Sequence, residues 1–354
     1  MNKQVVIAVM LSATILPFTQ SMAGEASTTD CGIEGTITVK SGDSEVQAKT
    51  RVFKDGSIAV RAPLAVNPDG GPGSYTVGDH GFTYIANGIS RWVNGSRVKC
   101  DSSCVAAFKR AESMGFVLGT EKFCVFAMEV EPMKAGQKLT SCGPGKSFVG
   151  DGLGRPKLGE ILETATGANI QAYASTTSLR HFVGGKAVYL NAEKLPVAVA
   201  PAANLLGKVV WVGGKDLKNT FAVIGDTGPA FGEGSIAMHQ LLHHGSIKAQ
   251  KPGPIPKEQR CQSGEMELSA PYESRPDAKN DQCRKGYTTR SDSDIRAYQA
   301  IGEAIDFVIL GAASFKPKGG TIQEEVSKES IEGRAAQAGY TEKSIQRMLS
   351  CLPK

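Results

Sequence analysis

The chain has 354 residues, of which 41% are hydrophobic and 21% charged, and a formal net charge of +5. That length can bury a substantial core as one elaborated domain or two small ones. The charge is too weak and too dispersed to argue for a nucleic-acid partner, while 41 glycines and 17 prolines among short apolar runs argue against a helical bundle and for many short strands joined by turns.

Residues 1–23 carry one early lysine, Lys3, an apolar run, and then Ser21, Met22 and Ala23 with the small-x-small spacing of a signal peptidase site. This reads as a secretory signal cleaved near Ala23, so a secreted or periplasmic protein is expected. Ser12, Thr14, Pro17 and Thr19 interrupt the run before it reaches the roughly 20 apolar residues of a membrane anchor. No membrane partner is expected. Removing Lys3 and no acid takes the side-chain charge from +5 to +4.

Alternation at 35–40 and 57–61 predicts strands with one buried face, and Asn-Pro-Asp-Gly-Gly-Pro-Gly at 67–73 is a run of turn residues. Residues 98–165 read as an elaboration, with a helix over 105–114, an apolar strand over 123–130 and a glycine-rich loop. Strands resume at 171–173, 186–190, 197–200, 208–212 and 221–224. Ser235 is placed to cap a helix that starts at Ile236, and Gly245 to end it. Residues 246–290, with Pro252, Pro254 and Pro256 among many charges, describe an exposed loop. A helix over 294–304, a buried strand over 307–310, and a terminal helix with Ile345, Met348, Leu349 and Leu352 on one face complete the chain. The expected class is mainly β with peripheral helices (α+β).

All eight cysteines follow the signal, and an even number in an exported chain implies disulfides. Proximity suggests Cys261 with Cys283; Cys100, Cys104, Cys124 and Cys142 supply further bridges whose pairing stays open. Cys100 and Cys104 have no second closely spaced pair, so a structural zinc site is not expected.

Residues 222–239, AVIGDTGPAFGEGSIAMH, set Asp226 and Glu233 on either side of a glycine-rich turn. Glycosidic hydrolysis needs one protonated carboxyl to donate to the leaving oxygen and one ionised carboxylate across the scissile bond. The competing reading makes Asp226 an Asx turn and Glu233 a decoration of the helix entrance. Glu233 precedes a helix start, where negative charge is favoured, which suits the base. Asp226 follows Val223 and Ile224, where desolvation suits the proton donor. His239 and His243 stand one helical turn apart, but Gln240 occupies the position where a zinc protease needs glutamate; the pair reads as solvated helix-end histidines. Tyr75, Tyr84, Trp92 and Tyr173 could stack on sugar rings, though aromatics in strands are more often core.

Five ordered blocks together resemble glycoside hydrolase family 75, the chitosanases and their bacterial relatives. They lie at 67–74, at 84–88 followed by Trp92, at 173–179, at 188–201 and at 221–239. The resemblance implies a small double-psi-like β-barrel, here over 24–320; the disulfide-stapled insertions expected at about 98–165 and 246–290 and the C-terminal helical segment at 321–354 have no counterpart in it. It implies inverting endo-hydrolysis of a chitosan-like polysaccharide by a monomeric enzyme, with Asp226 and Glu233 catalytic, and neither metal nor cofactor. Asp69, Tyr84, Trp92, Thr176, Thr177 and Ser178 fall in its blocks as expected substrate contacts. The alternatives are an N-acetylated glycan such as peptidoglycan as substrate, or a non-catalytic exported glycan-binding protein.

Overall fold

The computed structural model describes residues 31–41, 44–77, 80–83, 88–163, 169–247 and 301–353. Its principal sheet contains eight strands: β1 (Ile33–Ser41), β2 (Ser44–Val52), β3 (Ile58–Val66), β4 (Val197–Ala200), β5 (Lys208–Gly213), β6 (Thr220–Thr227), β7 (Glu233–Gly234) and β8 (Ile301–Ser314). Six of them close a barrel in the order β3-β7-β4-β6-β5-β8, because β8 pairs back onto β3. Two neighbouring pairs, β4 with β6 and β7 with β3, are parallel; the others are antiparallel. The β1-β2 hairpin continues the sheet from the first half of β3.

Strand alternation divides the apolar residues between two cores. Val60, Ala62, Leu64, Ala198, Val210, Ala222, Ile224 and Phe307 fill the barrel, with Phe231 and Phe307 edge to face at 5.0 Å. Ala59, Val197, Val209, Val223 and Val308 face outward, against Leu179, Leu190 and the C-terminal helices. Those helices, Lys328–Gln337 and Glu342–Ser350, each begin at a capping box, Ser327 with Ser330 and Thr341 with Ser344. Ile345 and Leu349 are buried there, as the terminal-helix pattern predicts, and Leu352 is buried just beyond. A Cys31–Cys351 disulfide joins the two ends of the described chain across 320 positions.

The elaboration has its own core. Helix α1 (Ser102–Ser113), capped by Asp101 accepting from the Cys104 amide, packs Phe108 against Phe82, Phe116, Phe123 and Tyr173. A five-stranded sheet runs beside it, and Cys100–Cys104 and Cys124–Cys142 staple it. No cysteine among the described residues is free. The Cys261–Cys283 pairing lies outside the described residues.

Two expectations change. The apolar run predicted as one strand over 123–130 is two short strands, Phe123–Val125 and Val130–Glu131, paired to different partners. The helix predicted over 294–304 is contradicted where it is described: residues 301–304 belong to β8. Ile301 pairs with Leu64 and Ile305 with Ala62, so closure of the ring overrides a local sequence that includes the helix formers Glu303 and Ala304. No described helix is long and apolar enough to cross a membrane.

Candidate active site

Asp226 and Glu233 both pair with Val199: Asp226 from the parallel β6 on one side of β4, Glu233 from the antiparallel β7 on the other. Side chains in register on neighbouring strands share a face, so the two carboxylates stand on one row across three strands. Neighbouring strands lie about 4.8 Å apart, which separates their Cα atoms by roughly 10 Å.

That face is the outer one, and a bulge puts Asp226 on it. Val223 pairs with Val197 and Ile224 with Ala198, but Val199 then meets Asp226, leaving Gly225 as the extra residue. Ile224 belongs to the barrel interior, so strict alternation would return the residue after Gly225 to the inside. A bulge resets the alternation and re-aims the next side chain. A Cβ on Gly225 would stand 2.3 Å from Leu190 Cδ1 and 2.8 Å from Val197 Cγ1, so the bulge also needs the missing side chain. Asp226 then turns its Oδ1 to three donors: the Ser178 amide at 2.8 Å, the Ser178 hydroxyl at 2.6 Å and the Thr227 amide at 2.8 Å. Burial nonetheless raises its carboxyl above the ordinary range, against the lowering effect of those bonds and of Asn67.

Glu233 is fixed from the other side. On its edge away from β2, β1 bonds residue 231, with the Lys40 amide donating to the Phe231 carbonyl and the Phe231 amide to the Thr38 carbonyl, both at 2.8 Å. This brings Lys40 Nζ to 3.1 Å from Glu233 Oε1. Helix α2 (Ile236–His244) starts three residues after Glu233, with Ser235 accepting from the Met238 amide and Gly245 ending it in the left-handed region, as predicted.

The third carboxyl is Asp69. Its loop is built around Ser74, which accepts from the Gly71 amide and donates to the Pro68 carbonyl. The Asn67 side chain accepts from the Asp69 amide at 2.9 Å. Gly70, at φ +110°, passes so close to Leu190 that a Cβ would lie 1.9 Å from its carbonyl oxygen. Asp69 itself is only 7% exposed, and Tyr75 Oη donates to its Oδ1 at 2.5 Å. Burial drives its pKa well above the ordinary range; the Tyr75 bond opposes this and the charges of Asp226 and Glu233 add to it.

The structure therefore brings together Asp69, Asp226, Glu233 and Ser178. Thr177 is taken up by the fold, its Oγ1 donating to the Leu179 carbonyl and accepting from the Leu190 amide. Thr176 donates to the Ala127 carbonyl at 3.4 Å. Trp92 lies in the five-stranded sheet, edge to face with Phe148 at 4.9 Å, and Tyr84 lies outside the described residues. Tyr75 and Tyr173 are fully buried.

The expectation of solvated helix-end histidines is overturned. Residues 236–242 of α2 are buried on every side, which encloses His239 at 1% exposure between the Ser235 and Leu64 carbonyls. His243 has a buried, unpartnered Nε2, and burial pulls its pKa down to about 4, helped by His239 and His244. Among the described residues no three His, Cys, Asp or Glu side chains, the three carboxyls included, are placed to hold one metal ion.

A cavity of about 1010 Å³ opens beside Gly70, Gly71 and Ser175 and extends to Asn191, Lys194 and Lys328; none of the three carboxyls lines it. The carboxylate row instead borders Ser178 and Thr227, which are exposed. Sequence reasoning missed Lys40, Asn67 and Tyr75 as partners of the acids. Asn67 and Tyr75 flank Asp69 within or beside the turn-residue block, a signal that was readable; Lys40 is 193 positions from Glu233 and carried none.

The chain matches no protein-family model, and no curated protein matches it.

Proposed function

We propose that the protein is an exported, monomeric glycoside hydrolase that cleaves a glucosamine-containing polysaccharide internally with inversion, as the resemblance to glycoside hydrolase family 75 implies, on a barrel of the double-psi kind. The observation that carries this reading is the row Asp226–Val199–Glu233, two carboxylates facing one way across a single intervening strand. Inverting enzymes hold their carboxyl groups about 6.5–9.5 Å apart to leave room for a water, and two strand spacings, roughly 10 Å between Cα atoms, are of that order.

In this mechanism Asp226 is the acid. Three donors occupy Oδ1, which leaves Oδ2 to carry the proton, and burial favours the protonated form. Glu233, ion-paired to Lys40, is the carboxylate that takes a proton from the attacking water. An endo-acting enzyme must admit a polymer from the side, and a site beside exposed residues suits that better than an enclosed pocket.

A second substrate reading rests on the same residues. Lys40 offsets the charge of Glu233, and a polycation such as chitosan gains from an acidic cleft. A cleft so neutralised suits an N-acetylated, uncharged glycan.

The test is a panel of chitosan, chitin oligomers and peptidoglycan with the mature protein, Asp226→Asn and Glu233→Gln. Wild type should release reducing ends from one member, and each variant should lose about 10²–10⁴-fold or more in kcat while keeping its fold. Binding without cleavage across the whole panel would support the non-catalytic alternative, and wild-type turnover by either variant would remove that residue from the mechanism.

A further inference from the structure

Two carboxyls suffice for hydrolysis by inversion, and Asp69 makes a third. It is nearly inaccessible, its side-chain hydrogen bonds are with the Tyr75 hydroxyl at 2.5 Å and with Ser175, and no salt bridge reaches it among those formed by the described residues. Its backbone amide is tied to Asn67, whose side chain also acts on Asp226. The groups that face it are Tyr75 beside the loop, Ser175, Asp226 on β6 and Glu233 on β7, with Lys40 of β1 engaged by Glu233; the hydrogen bonds from Tyr75 and Ser175 oppose the effect of burial and of the two carboxylates.

We propose that Asp69 is a positioning residue that stands in the site as an un-ionised carboxylic acid, a hydrogen-bonding strut for the Asn67 loop rather than a third negative charge or an ionic substrate contact. A carboxyl enclosed without a cation must either find one or keep its proton. Here the charges that act on it are the carboxylates of Asp226 and Glu233, and their repulsion acts with burial in the same direction. Tyr75 fills the acceptor Oδ1, so the proton belongs on Oδ2. As a neutral group it anchors the Asn67 loop on Tyr75 without adding charge beside Asp226 and Glu233.

This role rests on the glycosidase reading, but the protonation state does not, so the experiment has two arms. Infrared spectra of the mature protein at neutral pH should contain the carbonyl stretch of an un-ionised carboxylic acid, weakened in Asp69→Asn. Tyr75→Phe, which removes the donor to Oδ1, should shift the same band and serves if the asparagine variant does not fold. A wild-type spectrum without that stretch, or one unchanged in both variants, overturns the proposal whatever the protein hydrolyses. In the kinetic arm, Asp69→Asn should retain at least about tenfold more kcat than Asp69→Ala, since the amide oxygen still accepts the Tyr75 hydrogen bond. Equal losses in the two variants overturn the positioning role and leave the glycosidase assignment intact.

Discussion

The barrel and its elaboration solve the same problem with different means. The barrel core is aliphatic, layered by strand alternation, and closed on itself so that every strand of the ring has two neighbours. The elaboration is built on an aromatic knot around Phe108, a sheet that does not close among the described residues, and two disulfides within some forty positions. A small unit buries too little surface to stabilise itself by packing alone, and cross-links supply the deficit. Closure, by contrast, gives rigidity without a covalent bridge inside the ring. The carboxylate row stands on the closed part, where register fixes side-chain spacing, and Asp69 comes from the loop that leaves that part.

The largest effects should come from breaking each core at its central ring. Phe231→Ala empties the barrel interior beside β7 and should cost about 3–5 kcal/mol, lowering the global melting temperature and displacing Glu233 and Lys40 together. Phe108→Ala removes a comparable volume, yet it should appear as local opening of the elaboration, with barrel amides still protected from hydrogen exchange. A single cooperative loss of protection in both variants would show that the two regions unfold as one.

A smaller effect is expected from the staple. Replacing Cys124 and Cys142 by alanine opens a loop with a sequence separation of 18, worth about 3 kcal/mol by loop-closure entropy and less if the reduced loop keeps structure. Hydrogen exchange should quicken in Phe123–Val125 and Lys146–Val149 and stay unchanged in β5 and β6. Equal quickening in the barrel would contradict the separation of the two cores.

Much of this organisation was legible in the sequence because local rules dominate it. The 197–200 strand, the Ser235 cap, the Gly245 stop and the buried face of the terminal helix follow from alternation, capping chemistry and periodicity, and the structure agrees at those residues. Asp226 and Glu233 were visible as a pair because seven positions and a glycine-rich turn separate them. What stayed hidden depends on long-range pairing. Nothing local marks Cys31 for Cys351, or Lys40 for Glu233. The outward direction of Asp226 depends on one bulged glycine opposite β4, and residues 301–304 become strand because Ile301 meets Leu64. The histidines of α2 were misjudged for a related reason: helical spacing identifies a face, but only the barrel beneath α2 and the elements around it bury every face.

Acid offers the finest separation of the two regions, since residues 98–165 contain no histidine while α2 carries His239, His243 and His244 on the barrel. In the folded protein His243 is held neutral, its pKa pulled from 6.5 to about 4 by burial and by its two histidine neighbours. Between those values the unfolded chain binds a proton that the folded one does not, so stability is full above the unfolded value and falls as pH drops toward the folded value. His239 is lowered by burial too and acts in the same sense. Asp69, Asp226 and Glu193, raised by burial, act in the opposite sense: their contribution is present at low pH and is lost as pH rises through their folded values. Net pH dependence therefore mixes two signs, and a comparison with His243→Gln isolates one. Moving from about pH 7 to about pH 5 should cost wild type roughly 2 kcal/mol more than the variant, read as the difference in urea midpoints. The loss should fall on barrel amides and leave the elaboration untouched. A variant as acid-sensitive as wild type would mean that His243 is already protonated in the fold, with a partner for its buried Nε2.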